Sequence, residues 1–409
     1  MKRFLGITLG ILTAIGGFVD IGDLVANSLV GSRFGMSLAW VVLLGIGGIV
    51  VYAEMAGRVA AISGRPVFDL VRERLGPRAA LANLGASMFV NFLTLAAEIG
   101  GIALALQLAT SVNYLLWIPW CAALVWIVIW RVKFESMERI FGLLGLAMVV
   151  FALALWKLHP DWGSLAHDAT HPSLQSGEGS PTYFYYAIAL FGAAMTPYEV
   201  FFFSSGAVEE KWTSEDLSLN KANVFVGFPL GGLLSLAIMG TAAVVFLPRG
   251  IQVDHLSQVA LPVPLALGKL GLAAVLVAFF AATFGAALET ALSSGYTIAQ
   301  YFGWQWGKGV RPAQASRFHT IVLLSIIFGA GLVLTTVDPV KVTEYSLVFS
   351  AVALPLTYFP ILVIANDRDY LGDRVNARWV NAIASLYLGI VIVAAVAAIP
   401  LMLITKAGM

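Results

Sequence analysis

The chain has 409 residues, 59% of them hydrophobic and only 11% charged, with a mean hydropathy of +0.88. Soluble domains average about 45–50% apolar and about 25% charged, so an ordinary soluble protein, a disordered chain and a collagen-like one are all excluded. The net charge of +1 offers no basic field for nucleic acid, and the single cysteine, Cys121, permits neither a disulfide framework nor a cysteine-based zinc site.

A membrane helix needs about 20 mostly apolar residues, and about eleven such runs follow one another, roughly 4–31, 35–63, 78–110, 113–130, 137–156, 183–206, 218–247, 268–302, 316–336, 341–365 and 378–405. The first run opens with Lys2 and Arg3 but lacks a small-x-small cleavage site and carries Asp20 and Asp23, so it reads as a retained helix rather than a signal peptide. The longest polar stretch, from about His159 to Pro181, reads as a loop, and nothing resembles a separate soluble domain. Residues 1–409 are therefore expected to form one transmembrane domain, with helices 1–5 at about 4–156, helices 6–10 at about 183–365 and helix 11 at about 378–405.

Positive charge predicts the orientation. Placing the N-terminus in the cytoplasm gathers Arg58, Arg65, Arg72, Arg74, Arg78, Arg131, Lys133, Arg139, Lys308, Arg311, Arg317, Arg374 and Arg378 into inner segments. An odd helix count then puts the C-terminus outside. The expected location is the cell inner membrane, multi-pass in the lipid bilayer, and a chain of this kind is far more often a transporter than an enzyme or a receptor.

Two runs are interrupted. Run one contains Gly16-Gly17-Phe18-Val19-Asp20-Ile21-Gly22-Asp23, and run six contains Gly192-Ala193-Ala194-Met195-Thr196-Pro197-Tyr198-Glu199. Glycine, proline and polar groups in mid-span mark an unwound segment, whose freed carbonyls are tolerated only against a cavity or a ligand. A simple kink would account for Pro197 but leaves the two aspartates unexplained. Two broken helices five spans apart are what a five-plus-five inverted repeat produces.

The acids expected inside spans are Asp20, Asp23, Glu54, Glu98, Glu199 and Glu289, and no Lys or Arg lies well inside any span. A buried carboxylate must be paired, protonated or bound to a cation, so the pattern points to a cation pathway. Asp20 and Asp23, three residues apart, share one side of even a partly helical backbone and supply hard oxygen ligands suited to Mg2+, Ca2+ or Mn2+; a pair of capping aspartates is the plainer alternative. Glu98 and Glu289 either line the pathway or are protonated structural groups. Glu199 either caps the second half of helix six or belongs to the pathway. Glu54, one turn from Arg58, is expected in a local ion pair. None of the five histidines falls near a break.

At these breaks the chain resembles the NRAMP family of divalent metal transporters. Asp20-Ile21-Gly22-Asp23 stands where that family has Asp-Pro-Gly-Asn, and Ala193-Ala194-Met195-Thr196-Pro197-Tyr198 where it has Ala-x-x-Met-Pro-His. Ser63-Gly64-Arg65-Pro66 through Arg74, Glu98-Ile99-Gly100, and Leu354-Pro355 through Asp373 extend the likeness over about residues 10–375. The departures are at the centre. The family's metal-binding Met falls on Thr196, with Met195 expected to point elsewhere. Its Asn falls on Asp23 and its helix-six His on Tyr198. A helix-three Asp falls on Leu95, a helix-ten Gln on Leu347 and a helix-eight Gln on Glu289. These changes resemble the family's magnesium-transporting branch.

The resemblance implies an all-α, LeuT-like inverted repeat of ten helices plus one, moving a divalent metal by alternating access. It implies that Asp20 and Asp23 bind the ion, that Ala193 gives a carbonyl and that Thr196 gives a hydroxyl or a retained water. Gly22, Glu98, Tyr198, Glu199 and Glu289 are the expected pathway or coupling residues. The expected substrate is Mg2+, with Mn2+ also carried and proton coupling weak or absent. No cofactor besides the transported ion, no nucleic acid and no enzymatic activity are expected, and the oligomeric state is not readable. The alternatives are a proton-coupled Mn2+/Fe2+ importer, a sodium-coupled solute carrier of the same fold and, from another class, a Mg-dependent intramembrane enzyme.

Overall fold

The computed structural model describes residues 18–174 and 178–408 of the chain. Residues 4–17 of the first predicted run, with Gly16 and Gly17 of its break, lie outside the described residues. Ten described helices are long and apolar enough to cross a membrane. With the described part of the first run they are α1 (Ile21–Phe34), α2 (Ala39–Ser63), α3 (Pro77–Thr110), α4 (Tyr114–Arg131), α5 (Phe134–Lys157), α6a and α6b (Ser180–Ala194 and Pro197–Glu209), α7 (Phe228–Val245), α8 (Pro262–Phe302), α9 (Ser316–Leu334), α10 (Pro339–Ile364) and α11 (Arg378–Ile404). In lipid each segment must satisfy its own backbone, so uninterrupted apolar runs become helices.

The departures from that rule have local causes. Asp20 is extended rather than helical, and its side chain caps α1 by accepting from the Asp23 N–H. Met195 and Thr196 separate α6a from α6b, because Pro197 cannot donate to the turn before it and takes the first position of a new helix instead. In α8, Gly268 at φ 65° bends the chain, so the straight part of the span begins where the hydropathy places it. The polar stretch after α5 is not all loop: Trp162–Thr170 is helical, with the Asp161 side chain accepting from the N–H groups of Gly163 and Ser164. The sequence reading missed this helix because its polar faces carry no membrane signal.

The packing repeats itself. α1 lies on α7 as α6b lies on α2, while α3 and α8, the third helices of the two halves, pack along each other and α10 covers α3. The two broken helices are thereby enclosed by α2, α3, α7, α8 and α10. α11 stands outside both halves against α10, with most of its surface turned away from the protein.

Candidate metal centre

The breaks in α1 and α6 meet in the interior. Asp20, Asp23, Thr196 and Glu199 are 3%, 1%, 4% and 5% exposed. Asp20 accepts at both oxygens: the Asp23 N–H reaches Oδ1 at 2.9 Å and the Tyr198 hydroxyl reaches Oδ2 at 3.0 Å. Asp23 accepts at Oδ1 from Asn27 Nδ2 at 2.9 Å and from Ser235 Oγ at 3.0 Å, while its buried Oδ2 has no partner among the described residues. Gly22 sits between the acids. A Cβ there would come within 2.8 Å of both Asp20 Oδ1 and Leu347 Cδ2, so only glycine lets the two carboxylates share this turn.

The α6 side supplies neutral oxygen. Ala193 lies in the last turn of α6a, where carbonyls have no intrahelical donor. The Met195 carbonyl accepts from the Tyr358 hydroxyl of α10 at 3.1 Å. The Met195 side chain turns away, its sulfur filling the space over Gly48 of α2, as the sequence reading expected. The Thr196 hydroxyl donates to Glu199 Oε2 at 3.3 Å, which leaves its oxygen free to accept or to ligate. Glu199 thus sits in the first turn of α6b and also bonds back across the break, so both of its predicted roles are compatible with its place.

Two further acids belong to the same interior. Glu98 of α3 accepts from the Ile21 N–H at 3.2 Å, and its Oε2 has no partner among the described residues. Glu289 of α8 is the second, partly buried between the fully buried Leu288 and Thr290. Among the described residues none of these five carboxylates forms an ion pair. Glu54 does pair with Arg58, at 3.1 Å, as expected. Leu95 is buried in α3 and faces Gly329 of α9, and Leu347 presents an apolar side chain to Gly22. Among the described residues no three His, Cys, Asp or Glu side chains are placed to hold a metal by themselves. An ion here would need hydroxyl, backbone or water oxygens besides Asp20 and Asp23.

Asn27, Ser235 and Tyr358 were not singled out in the sequence. Asn27, one turn after Asp23, was within reach of a helical-spacing argument. Ser235 and Tyr358 come from distant helices and carried no signal.

The family model described as "Natural resistance-associated macrophage protein-like" matches residues 10–400. The chain belongs to the Nramp family. Among relatives of this Nramp protein, the divalent metal cation transporter MntH of Pectobacterium carotovorum is 24% identical over 388 residues, covering 92% of this chain and 89% of that one. The MntH of Ralstonia nicotianae is 27% identical, with coverage of 96% and 90%. The crystal structure of the Eremococcus coleocola manganese transporter superposes with a TM-score of 0.70 at 19% identity, over 96% of this chain and 85% of that one. Mhp1, a nucleobase-cation-symport-1 transporter, gives 0.62 at 17%, over 97% and 92%. The Nramp chain thus has the LeuT-type fold.

Proposed function

We propose that this Nramp-family chain is a transporter of divalent metal cations working by alternating access, with Mg2+ favoured and Mn2+ also carried. The observation that carries the reading is that two buried carboxylates lie where two helix breaks meet, with no basic partner among the described residues. Such charges call for a cation, and the names of the relatives favour a divalent metal. Asp20 and Asp23 hold the ion, the Ala193 carbonyl and the Thr196 oxygen complete the protein ligands, and retained waters fill the remaining positions.

The preference for a hard ion rests on oxygen alone facing the break. With Met195 turned onto α2, no thioether favours softer metals, and Mg2+ takes only oxygen. Weak proton coupling is supported by Leu95, which cannot carry a proton, and by Tyr198, a phenol with an ordinary pKa of about 10. The end of the bundle holding Arg58, Arg65, Arg72 and Arg74 is placed in the cytoplasm by its positive charge.

A proton-coupled Mn2+ importer is the second reading, favoured by the manganese transporter among the similar structures. Uptake of Mg2+ and Mn2+ into proteoliposomes, with lumenal pH recorded together, separates the two. Asp20→Ala and Asp23→Ala are each expected to lower uptake at least about a hundredfold, the loss of one charged ligand in a dry site being on the order of 3 kcal/mol. Wild-type rates from either folded variant would refute the site. Lumenal acidification matching the metal flux would refute weak coupling, and Mn2+ uptake without Mg2+ uptake would refute the magnesium preference.

A further inference from the structure

The Asp23 carboxylate is held unevenly. Asn27 and Ser235 both donate to Oδ1, at 2.9 and 3.0 Å, and among the described residues Oδ2 receives no donor although it is buried. Asp20 is held on both oxygens, by the Asp23 N–H and the Tyr198 hydroxyl. An oxygen that already accepts two hydrogen bonds has little lone-pair density left for a metal. A bare buried carboxylate oxygen keeps its full demand for a cation. The two donors therefore fix the rotation of the Asp23 carboxylate and leave one oxygen for the ion.

Ser235 is placed for this by close packing. Positions 231, 235 and 239 recur at helical spacing on one face of α7. A Cβ on Gly231 would lie 2.7 Å from the Phe18 Cβ. Across the same contact, a Cβ on Gly31 of α1 would lie 2.2 Å from the Met239 carbonyl oxygen. α1 and α7 are thus in backbone contact one turn after Ser235, at Met239, and the Phe18 side chain fills the space over Gly231 one turn before it. Ser235 between them is fully buried, which leaves its hydroxyl little room to drift from Asp23.

Resting on the metal-transport reading above, we propose that Ser235 is a specificity-determining positioning residue: with Asn27 it ties up Oδ1 of Asp23, so that this acid meets the ion through Oδ2 alone. A small dication that keeps several waters needs one oxygen from each carboxylate, whereas the larger Ca2+ gains from bidentate carboxylates and from flexible ligands. The clamp withholds the second oxygen and so discriminates by ion size. Removing the hydroxyl frees the carboxylate to turn and to chelate.

The test uses the full-length protein in proteoliposomes. KM and maximal rate for Mg2+ and Mn2+ are measured with and without competing Ca2+, for the wild type, Ser235→Ala and Ser235→Thr. Ser235→Ala is expected to raise KM for Mg2+ roughly tenfold, with the maximal rate little changed, and to make Ca2+ a correspondingly stronger competitor. Ser235→Thr, which keeps the hydroxyl, restores both. Unchanged KM and Ca2+ competition in Ser235→Ala would overturn the proposal. So would a Ser235→Thr protein that behaves like Ser235→Ala, since volume rather than the hydroxyl would then matter. If Ser235→Ala does not reconstitute, Ser235→Cys, close in size and a poor donor, is expected to show the same KM and Ca2+ shifts, and wild-type values from it would overturn the proposal. Wild-type vesicles that take up neither Mg2+ nor Mn2+ would instead fail the transport reading, whereas wild-type uptake with an unaltered Ser235→Ala fails this inference alone.

Discussion

At position 196 one side chain would set the chemical character of the proposed site. Thr196 stands at the break between α6a and α6b, its hydroxyl donating to Glu199, and the neighbouring sulfur of Met195 is packed on Gly48 of α2. Oxygen is therefore the only donor type that the break offers. Putting a thioether at 196 gives a soft metal a partner that Mg2+ does not want. Thr196→Met is expected to tighten Cd2+ binding roughly tenfold, the effect of about 1.4 kcal/mol, and to slow Mg2+ uptake by a similar factor. Calorimetry of Cd2+ binding and Mg2+ flux on the same preparation check it. Tight Cd2+ binding by the unmodified protein together with absent Mg2+ transport would return the site to a softer-metal reading.

Among the elements, the ends of the two broken helices on the side of Arg33 are fastened to each other. Arg33, in the last turn of α1, grips Glu178 with Nε at 2.8 Å and Nη2 at 3.0 Å. Its Nη1 donates to the Tyr186 hydroxyl of α6a at 2.9 Å and to the Gly408 carbonyl at 2.7 Å. A bidentate guanidinium–carboxylate pair holds direction as well as distance, so α1 is tied to α6a and to the Glu178 segment just before it, and on the alternating-access reading proposed above the two would move as one piece. The site lies at the opposite end of α1. Arg33→Ala is accordingly expected to lower the maximal transport rate several-fold and to leave the dissociation constant of the ion unchanged. Flux kinetics and equilibrium binding, measured side by side, distinguish this from damage to the site, which would weaken binding.

Across the whole molecule, the end opposite Arg33 is tied by polar contacts that join distant spans. Arg58 of α2, paired with Glu54, donates to the Arg374 carbonyl and to Asn376 Oδ1. Glu209, at the end of α6b, accepts from the Tyr296 hydroxyl and from the backbone N–H groups of Lys308 and Gly309. The Lys308 ammonium in turn donates to the Val132 carbonyl. Lys308 lies in the connection after α8, outside the spans, and burial pushes its ammonium down to about 8, against the pull of Glu209. The folded protein then releases this proton near pH 8, whereas the unfolded chain holds it to about 10.5. Between those values the unfolded state binds more protons, so stability rises with pH across that window, and the cost of burying the charge is present in full below it. Relative to Lys308→Met, the wild type is expected to gain on the order of 1 kcal/mol, about a degree or two in melting temperature, between pH 8 and 10. A flat difference over that range would show that the ammonium is not held in this way.

The spans were readable because a bilayer forces the answer. An apolar run of sufficient length has no choice but to close its own hydrogen bonds as a helix, and the predicted runs from 35–63 to 378–405 meet the observed helical spans within a few residues, the start of run 218–247 falling on the short helical segment that leads into α7. The breaks were readable for the same reason, since Gly22, Pro197 and paired acids in mid-span cannot form an ordinary helix. The pairing of Glu54 with Arg58 followed from spacing on one helix. What the sequence could not contain is how one span meets another. That Ser235 of α7 reaches Asp23, that Tyr198 reaches Asp20, that Tyr358 takes the Met195 carbonyl and that Leu347 covers Gly22 are consequences of the two halves closing on each other. Helical periodicity places a residue on a face, and only the docking of faces decides which oxygen of a carboxylate is satisfied and which is left for an ion.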